Sequence, residues 1–268
     1  MGIWFLLAFL LWTALIQCVD VQAAGPNGTK IGFAAINLWF HHLTGVHMTV
    51  YTITDWLGLV PIAVCLGFGV VGVLQLIRRK SLIRVDPDIR LLGLYYVLVI
   101  LAYLLFEMVP INYRPILING ALEASYPSST TLLVLSVMPT LVFQANRRCE
   151  RKTVKRAVII FVVLFSAFMV IGRSVSGVHW AADIVGSVLL SFGLFKLYQS
   201  AVSAIDLRNQ NGVQRKAAGI KKKQRTDAGG TGAGDLCFQN SRIQVGVRQR
   251  IPEYRLAQGT GRFFLNNR

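Results

Sequence analysis

Long apolar runs separated by short basic clusters set the pattern of this chain. Residues 56–77 pass without one charge, and 91–106, 131–144 and 157–172 are shorter uncharged runs flanked by mildly polar residues. A helix needs about 20 apolar residues to cross a bilayer core, so each run predicts one crossing. Residues 180–197 form a further run with Asp183 near its start, and 3–19 supply another at the N-terminus. The expected fold is all-α: a polytopic membrane helical bundle of about six transmembrane helices.

The first run carries two readings. It ends on Val21-Gln22-Ala23-Ala24, which resembles a signal-peptidase site, but no Lys or Arg precedes it as a signal segment would require. Residues 1–24 are therefore read as a first membrane helix, with a cleaved signal segment as the rival. N-myristoylation at Gly2 is excluded because position 6 is Leu6. Residues 25–52, through Phe40, His41, His42, Gly45 and His47, read as a partly amphipathic segment at the membrane interface, with His41 and His42 as interfacial residues rather than ligands.

Composition agrees with lipid as the solvent. Hydrophobic residues make up 54% of the 268, charged residues only 15%, where a soluble domain carries about a quarter. The four cysteines, Cys18, Cys65, Cys149 and Cys237, show neither CxxC nor metal-ligand spacing. No disulfide framework, metal or cofactor is expected.

Charge placement then orients the spans. Net charge is +16, and basic residues cluster after the second span (Arg78, Arg79, Lys80, Arg84, Arg90), after the fourth (Arg147, Arg148, Arg151, Lys152, Lys155, Arg156), and beyond Lys196 in the tail. By the positive-inside rule these three places are cytoplasmic, and they alternate correctly for six spans. The connections 107–130 and 173–179 must then share the opposite side. Each holds a lone arginine, Arg114 and Arg173, on the face with almost no other basic residue. Residues 203–268 form a basic tail rich in Gly, Gln, Asn and Arg that is expected to stay unpacked and cytoplasmic. Its Lys221-Lys222-Lys223-Gln224-Arg225 run suits anionic headgroups of membrane lipids, and no nucleic-acid partner is expected beside a membrane.

The chemistry concentrates in Gly172-Arg173-Ser174-Val175-Ser176-Gly177-Val178-His179-Trp180-Ala181-Ala182-Asp183. His179 and Asp183 stand four apart, which on a helix places them on one face. A carboxylate there fixes the imidazole tautomer and leaves the second nitrogen free to attack. Arg173 adds a planar fork suited to phosphate. A second element runs from Asn112-Tyr113-Arg114-Pro115 to Ser125-Tyr126-Pro127-Ser128-Ser129-Thr130-Thr131, where hydroxyls and free N–H groups at a helix start make an anion cradle. Pro-Ser-Ser-Thr is equally an ordinary helix start, and gains force only beside Arg114 and His179.

This pattern resembles the type 2 phosphatidic acid phosphatase superfamily, which shares its site with the vanadium haloperoxidases. The family's motifs are Lys-x6-Arg-Pro, Pro-Ser-Gly-His and Ser-Arg-x5-His-x3-Asp. Arg173, His179 and Asp183 match the third, with Gly172 in place of Ser. The first keeps Arg114-Pro115 but has Glu107 where Lys is expected. The second reads Pro127-Ser128-Ser129-Thr130, with Thr130 replacing His. The likeness covers roughly residues 50–200, so that 25–202 is read as a phosphatase-like membrane domain.

The resemblance implies a lipid phosphate or lipid diphosphate substrate and a phosphohistidine on His179, oriented by Asp183. Arg114 and Arg173 would neutralise the phosphoryl oxygens with help from Ser128 and Ser129. The departures bear on this. Thr130 cannot protonate a leaving group at neutral pH, a contribution of about 10²–10⁴-fold, so a diphosphate should suffer less than an alkyl monoester. Glu107 removes a positive charge from the cradle. Glu123 or His47 are candidates to supply the missing proton, and spacing does not choose between them. Haloperoxidase chemistry is not expected without the Lys and the second His. Beside the phosphatase stand three other readings: a lipid phosphotransferase, a catalytically impaired lipid-phosphate binder, and a transporter. A surface rather than midplane site argues against the last.

Overall fold

The computed structural model describes residues 1–229, with side chains through Lys221. Its helices are α1 (Gly2–Cys18), α2 (Ala34–Thr44), α3 (Met48–Leu57), α4 (Leu59–Arg79), α5 (Pro87–Met108), α6 (Ser129–Arg148), α7 (Lys152–Val175) and α8 (Ala181–Gly229). α4 to α8 are long and apolar enough to cross a membrane, and α1 is a shorter apolar helix. The six apolar runs of the sequence correspond to these six helices, and the protein is a multi-pass membrane helical bundle. Two compact units are distinguished, Met1–Lys216 and Ala217–Arg268, and everything below lies in the first. α8 continues to Gly229, well past residue 202, where the polar composition gave no reason to expect an ordered element. Most of the basic run that starts at Lys221, and the tail from 230 onward, fall outside the described residues.

Lipid tails are as apolar as side chains, so helices in a bilayer associate through close packing and interhelical hydrogen bonds, each worth about 0.6 kcal/mol. Both devices are present. Gly2 of α1 and Gly193 of α8 lie where a Cβ would meet the facing helix at 2.9 Å and 2.6 Å. Tyr95 donates to the Ser136 carbonyl at 2.9 Å, Tyr96 pairs with Thr140 at 2.7 Å, and Gln144 donates to the Tyr198 hydroxyl at 2.9 Å, tying α5, α6 and α8. α1 is built into the same core. Phe9 and Ile16 are buried, and the Trp12 indole donates to the Ala182 carbonyl at 3.0 Å.

The basic clusters gather at one end of the bundle. Arg79 reaches Asp86 at 2.7 Å, Arg148 reaches Asp88 at 2.8 Å, and Arg147 reaches Asp206 at 2.7 Å. These pairs join the ends of α4, α5 and α6 to the middle of α8, which leaves the opposite end of the bundle to carry Arg114, Arg173 and His179.

At that opposite end, residues 109–128 fold back as a short hairpin. Asn119 and Gly120 both take positive φ, 51° and 78°, the Asn-Gly signature of a tight hairpin turn. The Ile118 and Ala121 backbones pair across it, the Arg114 N–H donates to the Glu123 carbonyl at 3.1 Å, and the Ser125 N–H to the Asn112 carbonyl at 2.9 Å. Arg114, Asn112 and Ser125 thus arrive together. Gly172 explains itself here too. A Cβ on it would lie 2.7 Å from the Thr54 methyl of α3, so only glycine lets α3 lie against the end of α7. Gly172→Ala is expected to lower stability by about 1–3 kcal/mol, read as a lower melting temperature in detergent.

Candidate active site

Four buried nitrogens at this end have no protein hydrogen-bond partner: Nε and Nη1 of Arg114, Nε of Arg173, and Nε2 of His179. Leaving a buried polar group unpaired costs about 1–3 kcal/mol, more when it is charged, and the three guanidinium nitrogens of this cluster are donors that an anion would satisfy. The remaining bonds of each side chain hold it in place.

Arg173 ends α7 and is 1% exposed. Its Nη2 donates to the Thr130 hydroxyl at 2.6 Å, and the same nitrogen lies 3.5 Å from Asp55. Nη1 lies 3.5 Å from the Thr54 hydroxyl. Arg114 pairs through Nη2 with Glu123 at 3.1 Å. The Tyr51 ring lies under both guanidinium groups, 4.9 Å from Arg173 and 5.7 Å from Arg114. Its π face steadies two like charges that would otherwise repel.

His179 follows the turn through Gly177, whose φ of +70° and distance of 2.0 Å from a built Cβ to the Gly45 carbonyl admit no side chain. Its Nδ1 lies 3.1 Å from both the carbonyl and the hydroxyl of Ser125. The Ser125 hydroxyl gives its proton to Asp183 Oδ2. Both Ser125 oxygens therefore face Nδ1 as acceptors, which places the proton on Nδ1 and the lone pair on Nε2. Burial, and then the charges of Arg114 and Arg173, hold the imidazole well below its usual pKa. It is neutral at pH 7.

Asp183 does not bond His179 directly, contrary to the expectation from their spacing. The two are 4.0 Å apart. The reason is that α8 begins at Ala181, so His179 precedes the helix and the four-residue rule does not apply to it. Asp183 instead accepts from the Trp180 backbone N–H at 2.9 Å, from Asn112 at 3.2 Å and from Ser125. Ser125 links carboxylate to imidazole. Ser125→Ala is expected to lower turnover about 10–100-fold while leaving the fold intact, the scale seen when a group that orients a reactive side chain is removed.

The other predicted residues divide. Ser129 lines a cleft with His179, Glu107 and Tyr126. Ser128 is fully buried and gives its hydroxyl to Thr131 at 3.1 Å, so that group is already engaged. Thr130 is turned to Arg173. Glu107 is exposed and faces the His179 cleft, while Arg114 is paired with Glu123 instead. His47 is exposed, with Nε2 at 2.9 Å from the Thr44 carbonyl. Tyr51, Thr54 and Asp55 were not anticipated, since they precede the second span without any motif. Among the described residues no group of His, Cys, Asp and Glu could hold a metal ion.

Comparison with known proteins bears on the fold and the family. No curated protein matches the chain. A solved structure, that of the first transmembrane PAP2 type phosphatidylglycerolphosphate phosphatase from Bacillus subtilis, superposes with a TM-score of 0.50 at 20% identity, covering 76% of this chain and 96% of that one. At that identity the likeness speaks for the fold. The family model of the PAP2 superfamily matches residues 63–205, more than half of the chain, and on that match the protein belongs to the PAP2 superfamily as a lipid phosphatase-like membrane protein.

Proposed function

We propose that this protein is a phosphatase that hydrolyses a lipid phosphate or lipid diphosphate at the extracytoplasmic membrane face through a phosphohistidine on His179. The observation that carries the reading is the set of unpartnered buried nitrogens on Arg114, Arg173 and His179. Two cations and a neutral imidazole with a free lone pair suit an anion that is also an electrophile.

In the proposed reaction Nε2 of His179 attacks phosphorus as the bond to the leaving oxygen breaks. Arg114 and Arg173 neutralise the equatorial oxygens, and the free N–H groups and Ser129 hydroxyl at the start of α6 add donors. Asp183, acting through Ser125, holds the imidazole and offsets the charge that forms on it. Water then attacks the phosphohistidine and frees phosphate. An apolar groove between α4 and α5, lined by Leu59, Ile62, Val99, Ile100 and Tyr103, opens beside Ser129 and Thr130. Such a groove accepts the chain of a lipid whose headgroup lies at His179. The basic clusters at the other end support an extracytoplasmic site, and the packing of Trp12 and Thr13 supports retention of α1.

The test is phosphate release by purified protein in detergent from a long-chain alkyl diphosphate and from its water-soluble short-chain counterpart. Release that favours the long chain is expected, and no release from either defeats the proposal. The protonation state is separately measurable. With a lowered pKa the imidazole stays neutral as pH falls through 6.5. Nitrogen NMR of histidine-labelled protein should show His179 still in its Nδ1–H form at pH 6. A midpoint at 6.5 or above contradicts it.

A further inference from the structure

The family pattern has a histidine at position 130 as the proton donor, and here Thr130 is bonded to Arg173 at 2.6 Å. The proposed reaction therefore lacks a group that can give a proton to an alkyl leaving oxygen. Among the carboxylates and histidines near the cleft, most are already committed. Glu123 is held by Arg114 in an ion pair at 3.1 Å. Asp55 lies beside Arg173. Asp183 is enclosed by Ser125, Asn112 and Trp180. The His47 imidazole is exposed and turned to the Thr44 carbonyl.

Glu107 differs from all of these. It has no ion-pair partner within 4.0 Å among the described residues, and it lines the cleft that contains His179 and Ser129. It also lies on the leaving-group side. Tyr103, one turn earlier on α5, lines both that cleft and the apolar groove between α4 and α5. Ser129 and Leu132 of α6 line both as well, so a lipid with phosphorus at His179 and its chain in the groove passes its bridging oxygen between these parts of α5 and α6.

We infer that Glu107 is the acid–base catalyst of this site, taking over at position 107 the proton transfers that Thr130 cannot perform. The inference rests on the phosphatase reading above. As the N–P bond forms and the P–O bond breaks, the Glu107 carboxyl gives its proton to the leaving oxygen and becomes a carboxylate. That carboxylate then takes a proton from water as the water oxygen attacks phosphorus. The N–P bond breaks, its electron pair returns to Nε2, and Glu107 ends protonated for the next turnover. Replacing Lys by Glu at position 107 and His by Thr at position 130 then reads as one relocation of the proton donor, not as two losses.

The experiment compares wild-type, Glu107→Gln and His179→Ala on a long-chain alkyl monophosphate and on 4-nitrophenyl phosphate, whose leaving group needs no proton. Glu107→Gln is expected to lose about 10²-fold or more on the alkyl substrate. On the aryl substrate it should show a near wild-type burst of nitrophenol, then slow turnover with accumulated acid-labile phosphoenzyme, and Glu107→Asp should recover part of the loss. Unchanged turnover of Glu107→Gln on both substrates overturns the inference. So does an equal loss on both without phosphoenzyme. Turnover retained by His179→Ala would instead defeat the phosphohistidine reading, and Glu107 would fall with it.

Discussion

His179→Ala is expected to lower phosphate release by about 10⁴-fold or more, the largest effect of any single substitution. Removing a covalent nucleophile leaves only positioning and charge stabilisation, and in well-studied hydrolases this costs several powers of ten in kcat. The side chain is almost wholly buried and its Nδ1 contacts Ser125, so its loss is expected to lower the melting temperature modestly while release collapses. Phosphate binding should persist through Arg114 and Arg173. Equal release by the variant and wild-type would remove His179 as the nucleophile, and no release by either would leave a lipid-phosphate binder as the remaining reading.

Arg173→Lys should be the next most damaging change, with turnover down about 10²–10³-fold, the cost of removing one charge-stabilising donor set. The swap keeps the charge, yet an ammonium cannot reproduce the fork. In wild-type one edge of the guanidinium engages Thr130 and lies near Thr54 and Asp55, while Nε has no protein partner. A lysine must choose between those demands. Steady-state rates with the same lipid substrate, together with inorganic phosphate inhibition, would read both consequences. A variant with wild-type turnover would remove Arg173 from the phosphoryl site.

Much of the fold was legible because the solvent is lipid. A helix crossing hydrocarbon must show a long uncharged run, and the boundaries of α4, α5, α6 and α7 fall within a few residues of those runs. The third motif was equally legible, since ionisable groups at the edge of a span are costly and need a purpose. What was missed follows from contacts that no local pattern encodes. α2 and α3 are short, and Tyr51, Thr54 and Asp55 meet the arginines only because Gly172 lets α3 approach α7. The assumption that His179 was helical hid the role of Ser125. The Asn119-Gly120 pair did advertise the hairpin that delivers Arg114 and Ser125, and a reading for turns would have found it. Past residue 202 the polar composition carries no apolar period, and α8 nevertheless runs on to Gly229.

Two guanidinium groups and one imidazole nitrogen sharing a single tetrahedral anion is the central claim, and a structure determined with orthovanadate tests it most directly. The prediction is one vanadate bonded to Nε2 of His179, within hydrogen-bond distance of Nη1 of Arg114 and Nε of Arg173. Vanadate bound elsewhere, or this cleft empty at saturating vanadate, would contradict it.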